Sequence, residues 1–114
     1  MTPEGRVKRL TRQLLEEFGV QEAKDAGVPG KHDGWYFMPG QNGYGVKGIP
    51  DFVGHYKGFF FSIETKAPGK EPKVFQELQM KAIRESGGAV FMVDGEHSLL
   101  HVRLWLDKIR RTVR

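Results

Sequence analysis

Two apolar runs, Phe52 to Tyr56 and Phe59 to Thr65, stand only Lys57-Gly58 apart. A two-residue spacer ending in glycine suits the tight turn of a β-hairpin. The centre of this chain therefore reads as an antiparallel pair, and its chemistry sits at the strand ends. Asp51, in Gly48-Ile49-Pro50-Asp51-Phe52-Val53, opens the first strand, and Glu64-Thr65-Lys66 closes the second. Alternate strand positions share a face, so Glu64 and Lys66 point the same way, and the hairpin brings Asp51 within reach of them.

The flanking segments supply helices and further strands. Thr2 is placed to cap a helix that starts at Pro3, and Val7, Leu10, Leu14 and Phe18 recur at helical spacing until Gly19. From Val20 to Gly34 the chain is polar and broken by Gly27, Pro29 and Gly30, which predicts a loop with at most one helical turn. Trp35 to Met38 forms a first strand. Glycines 40, 43, 45 and 48 then make a flexible connection into Asp51. After a Pro/Gly loop, Ala67 to Pro72, a second helix runs from about Lys73 to Ser86, and Gly87-Gly88 stops it. Ala89 to Val93 has the apolar character of a strand covered on both faces. Val102, Trp105, Leu106, Ile109 and Val113 outline a last amphipathic helix. The resulting order, α-β-β-β-α-β-α, describes an α/β domain with a small mixed sheet flanked by helices. The step from the Phe59 strand through the second helix to the Ala89 strand has the form of a crossover.

With 114 residues, 39% of them hydrophobic, the chain has enough material for one core and too little for two, so residues 1–114 are read as one domain. The absence of Cys excludes disulfides and thiolate metal sites. His32, His97 and His101 lack zinc-like spacing. No segment approaches the roughly 20 apolar residues of a membrane span, and the expectation is a soluble cytoplasmic protein without a membrane partner. The net charge of +4 is modest, but its distribution is uneven. Arg6, Lys8, Arg9 and Arg12 lie on the first helix, and Arg103, Lys108, Arg110, Arg111 and Arg114 crowd the C-terminus. Clusters of this kind serve phosphate backbones, and equally often they are solvated helix faces. Tyr44 and Lys47 are added as candidate DNA contacts. Trp35, Phe37, Phe59, Phe61 and Phe91 are assigned to the core.

Two clustered carboxylates repel unless a cation sits between them. Oxygen donors of this kind suit Mg²⁺ or Mn²⁺, which use one or two protein carboxylates and keep other positions for water and a substrate phosphate. No small-molecule cofactor is implied. Asp51 and Glu64 are the expected ligands, and the Thr65 carbonyl, lying between two residues that face the site, is the expected third. Lys66 is placed to lower the pKa of an attacking water or to neutralise charge in the transition state. The chain reads as a metal-dependent phosphodiesterase.

These motifs resemble the VRR-Nuc domain of the PD-(D/E)xK nuclease superfamily, on Gly48-Ile49-Pro50-Asp51-Phe52, Ile63-Glu64-Thr65-Lys66, and Gln76 in the helix that ends at Gly87-Gly88. The likeness runs from Pro3 to about Gly95 and is strongest to small standalone members from phages and bacteria. It implies a restriction-endonuclease-like fold and an endonuclease acting on DNA with Mg²⁺ or Mn²⁺. It further implies a homodimer that works on branched DNA such as four-way junctions, in the host cytoplasm if the chain is phage-encoded. It adds Glu4 to the catalytic and metal-binding residues and gives Gln76 a supporting role. Helical geometry alone does not separate Glu4 from Glu17, both of which border the apolar stripe, and Glu4 also suits the helix N-terminus for its dipole alone. Gln79 lies one turn from Gln76 on the same face. The rival readings are a DNA-binding module of the same fold without catalysis, and a nuclease for RNA or single strands.

Overall fold

The computed structural model describes residues 1–30, 32–40 and 45–113. At its centre Lys57 and Gly58 both take positive φ, 50° and 87°, the requirement of a two-residue hairpin turn. The turn sets the register of β3 (Phe52–Tyr56) against β4 (Phe59–Thr65), with Tyr56 opposite Phe59 and Phe52 opposite Ile63. β2 (Gly34–Phe37) pairs antiparallel with β3. β5 (Ala89–Val93) joins β4 in parallel, after α2 (Val74–Glu85) has crossed over. The sheet is completed by β1 (Val20–Glu22), giving the order β1-β2-β3-β4-β5.

β1 corrects the loop expected over Val20 to Gly34. It is three residues long with one buried apolar side chain, Val20, so it carries no alternation that a sequence reading can detect. Backbone pairing creates it: β1 runs parallel to β2, and the Asp33 amide donates to the Gly19 carbonyl at 2.9 Å. The single helical turn that follows is a 3-10 turn at Ala23–Asp25.

One face of the sheet carries the core. Tyr36, Phe52, Tyr56, Phe61, Ile63 and Val93 are buried there under α1 (Pro3–Glu17) and α3 (Glu96–Thr112), which contribute Val7, Leu14, Leu15, Val102, Leu106 and Ile109. Thr2 caps α1, its Oγ1 accepting from the Gly5 amide at 3.0 Å. Trp105 of α3 receives Phe61 and Phe91 edge-on, with centroids 6.0 and 5.7 Å away.

The opposite face is only partly covered. α2 lies over it with no buried residue of its own, turning Gln76, Gln79, Met80 and Ile83 inward. β5 is thus half-buried along most of its length. Beyond α2 the sheet is open: Trp35 and Phe37, expected in the core, are 39% exposed, and Phe60 is 42% exposed. The register puts Trp35, His55 and Phe60 in one row and Phe37 and Val53 in the next. At 100° per residue, Phe75, Leu78 and Ala82 form one flank of α2, while Lys73, Glu77, Lys81 and Arg84 form the other. This open part of the sheet is apolar: among the described residues its rows, Trp35–His55–Phe60 and Phe37–Val53–Ser62, carry no Lys, Arg, Asp or Glu. Phe59 is likewise exposed, at the strand start; Phe61 is buried and Phe91 half-buried.

Candidate active site

Asp51 precedes β3 and Glu64 lies near the end of β4, so both belong to the α2-covered face, one row beyond Val53 and Ser62. Glu64 is 2% exposed, and its Oε2 has no hydrogen-bond partner among the described residues. A buried carboxylate in this position is costly as an anion. Burial, then the hydrogen bond and charge of Asp51, push the Glu64 carboxyl up to about 8, with Glu4 adding to the effect and Lys66 opposing it.

Asp51 is held at one oxygen. Its Oδ2 accepts from the Thr65 amide at 2.9 Å and from the Thr65 hydroxyl at 2.7 Å. Oδ1 is left toward the site, with the Lys8 ammonium 4.0 Å away. Lys66 follows on the same side of β4 as Glu64; its amide donates to the Val93 carbonyl at 2.9 Å, which extends the β4–β5 pairing to the site.

Two further segments close the site. Gly48 takes φ 82°, and a Cβ there would stand 2.2 Å from the Phe75 carbonyl oxygen. Only glycine allows the start of α2 to press on the segment that leads into Asp51. Gln76 is therefore brought beside that segment, but its Oε1 accepts from the Lys73 amide at 2.8 Å and so caps α2. Its amide nitrogen has no partner among the described residues, and Gln79 makes no hydrogen bond among them. On the far side, α1 brings Glu4, paired with Lys8 at 3.7 Å. Glu17 points elsewhere: its carboxylate accepts from Arg103 of α3 at 3.1 Å, and that bond holds its pKa below the ordinary value.

The proposed DNA contacts separate into groups. Arg6 and Arg9 are exposed and have no acidic partner among the described residues. Lys8 belongs to the carboxylate cluster. Arg12 is engaged by Glu22 at 3.2 Å. Lys47 sits over the Phe75 ring at 5.3 Å, and Tyr44 and Arg114 lie outside the described residues. The C-terminal cluster is largely spent within the fold: Arg103 pairs with Glu17, while Arg110 and Arg111 pair with Asp107, and Arg110 also covers the Phe18 ring at 4.6 Å.

Among the described residues no three His, Asp or Glu side chains form a ready-made metal cage. The donors present are nevertheless hard oxygens, and the orphaned Oε2 of Glu64 beside Asp51 fits a divalent cation as its missing partner. A cavity of about 480 Å³ is lined by Pro3, Arg6, Val7, Leu10, Pro68 and Glu96 and contains none of Glu4, Asp51 and Glu64. A cavity of about 590 Å³ near β1, lined by Arg12, Glu22, Lys24, His32 and Tyr36, contains none of the site carboxylates. Neither of these two spaces is where the carboxylates gather.

A mixed sheet with α1 and α3 on one face, a crossover helix on the other and carboxylates at the strand ends is the restriction-endonuclease-like α/β fold. Among solved structures the chain is similar to one described as a VRR_NUC domain, with a TM-score of 0.61 and 21% identity over 100% of both chains. No protein-family model and no curated protein matches it. No helix among the described residues is long and apolar enough to cross a membrane.

Proposed function

We propose that this protein is a Mg²⁺- or Mn²⁺-dependent endonuclease that hydrolyses DNA phosphodiester bonds. The observation that carries the reading is Glu64, a carboxylate 2% exposed with one oxygen unpartnered among the described residues and a second carboxylate beside it. The sequence motifs and the likeness in fold to a VRR_NUC domain support the same reading.

Asp51, Glu64 and the Thr65 carbonyl would hold the ion, with Glu4 completing the set from α1. When bound, such an ion helps to deprotonate a water and to stabilise charge on the phosphoryl oxygens. The chain's own residues do the remaining work. Thr65 fixes Asp51 so that Oδ1 faces the site, and Lys66 offers a compact charge to the transition state. Arg6 and Arg9 meet the backbone of the substrate strand.

The substrate we assign is branched DNA and the active form a homodimer, working in the cytoplasm, that of the host if the chain is phage-encoded. The open apolar part of the sheet supports the dimer. Trp35, Phe37, Phe60, Phe75 and Leu78 are each more than a third exposed, and exposed apolar side chains that lie together mark interaction sites. A two-fold arrangement lays the Phe75 and Leu78 flank of one copy on the open aromatic rows of the other.

Cleavage of labelled linear, flap, four-way-junction and RNA substrates, with and without divalent ions, tests the reading. The expected result is cutting of the junction in Mg²⁺ or Mn²⁺ and none in excess chelator. Undiminished cutting in chelator overturns the metal mechanism, binding without cutting makes the chain a DNA-binding module, and preference for RNA changes the substrate.

A further inference from the structure

Lys8 occupies a more specific position than a phosphate contact on a solvated helix. It follows Glu4 by one turn of α1, so the two side chains leave the same face. Its ammonium stands 3.7 Å from Glu4 Oε2 and 4.0 Å from Asp51 Oδ1, the oxygen that Thr65 does not engage. Its neighbours Arg6 and Arg9 are exposed, whereas the Lys8 side chain is 33% exposed. Both contacts are longer than a charge-assisted hydrogen bond, normally about 2.7–2.9 Å. Lys8 is therefore a loosely held cation over the carboxylate oxygens that a metal ion would need.

We propose that Lys8 is the built-in counter-ion of the site: it neutralises Asp51 and Glu4 in the metal-free protein, and once a divalent ion takes those oxygens its ammonium serves the scissile phosphate. This rests on the metal-nuclease reading. Formal charge supports it. With all three carboxyls ionised, as they would be around a bound ion, Glu4, Asp51 and Glu64 against Lys8 and Lys66 sum to one negative charge. A divalent ion turns that into one positive charge, which one phosphodiester closes to neutrality. Without Lys8 the metal would bind a more negative site, and the phosphate would meet a neutral one. Removing the ammonium therefore has opposite effects on the two ligands, which loss of a merely structural lysine does not produce.

The test is Lys8→Met, which keeps the stem and deletes the charge, in the full chain. Titration with Mn²⁺ alone should show affinity raised on the order of fivefold or more, while turnover of a four-way junction at saturating Mn²⁺ falls about tenfold. Lys8→Arg should keep an Mn²⁺ affinity close to wild type. Lys108→Met, which removes a charge on α3, should leave it unchanged, and melting in chelator checks the fold of each variant. Unchanged or weaker Mn²⁺ binding by Lys8→Met, or wild-type turnover at saturating metal, overturns the proposal. Failure of the nuclease reading looks different: the wild-type chain itself would bind Mn²⁺ and cut nothing, or bind none.

Discussion

Thr65 gives both its backbone amide and its hydroxyl to the same oxygen of Asp51, at 2.9 and 2.7 Å. β3 and β4 are thereby joined at the site by a side chain as well as by their ladder, and one carboxylate oxygen is fixed while the other stays open. Thr65 is fully buried, so Thr65→Val preserves shape while deleting one of the two bonds. A hydrogen bond to a charged group contributes about 1.5–3 kcal/mol, and Thr65→Val should cost an amount in the lower half of that range by urea denaturation. Turnover should fall about tenfold as Asp51 loses its fixed orientation. Wild-type turnover would show that the amide alone positions Asp51.

The buried Glu64 makes the metal-free protein sensitive to pH. In the folded chain its carboxyl holds a proton up to about 8, against 4.5 for an ordinary carboxyl. Between those values the folded state binds more protons than the unfolded one, so this contribution is complete below 4.5 and is lost as pH rises towards 8. Denaturation in chelator should show stability falling across that window by up to a few kcal/mol. Glu64→Gln should flatten the slope and abolish cleavage. A variant with the wild-type slope would move the titrating group elsewhere.

Glu4 and Glu17 should separate in opposite ways. Glu4 stands beside the Asp51–Lys8 pair, whereas Glu17 serves Arg103 of α3. Glu4→Gln should lower turnover about tenfold with little change in stability. Glu17→Gln should leave turnover intact and cost at most about 1 kcal/mol, the usual contribution of an exposed pair. Equal, small losses of turnover from both would remove α1 from the site.

The exposed apolar side chains of α2 and the open sheet should mediate self-association. Phe75 and Leu78 are 54% and 57% exposed, so Leu78→Glu or Phe75→Glu should leave the fold of the single chain intact, as circular dichroism checks, with any loss of melting temperature that of the lost association. Sedimentation should show a dimer for the wild-type chain and a monomer for either variant. A wild-type monomer whose Trp35 fluorescence is quenched by single-stranded DNA would assign the open aromatic rows to nucleic acid instead.

Much of this arrangement was legible because it depends on neighbours in sequence. The Lys57-Gly58 turn fixes the β3–β4 register, and strand alternation then places Glu64 and Lys66 on one face whatever the rest of the chain does. The caps and apolar periods of α1, α2 and α3 are local in the same sense. β1 was not legible, because three residues with one apolar side chain become a strand only when β2 offers its edge.

Long-range packing decided the remainder. Trp35 and Phe37 carry the composition of core residues, yet α2 is too narrow and too far towards β5 to cover them, and they stay half open. Arg103 looks like part of a phosphate-binding cluster until α3 docks and gives it Glu17 as a partner, whereas the pairs of Arg110 and Arg111 with Asp107 are local to α3. Glu4 and Glu17 border the same helical stripe, and only the opposite surroundings of the two ends of α1 tell them apart. The sequence by itself determined the turn, the periods and the residue types available at the strand ends, since these follow from local backbone geometry. Which carboxylate is buried, which oxygen stays open and which lysine stands over it depend on segments far apart in sequence, and only the tertiary structure decided them.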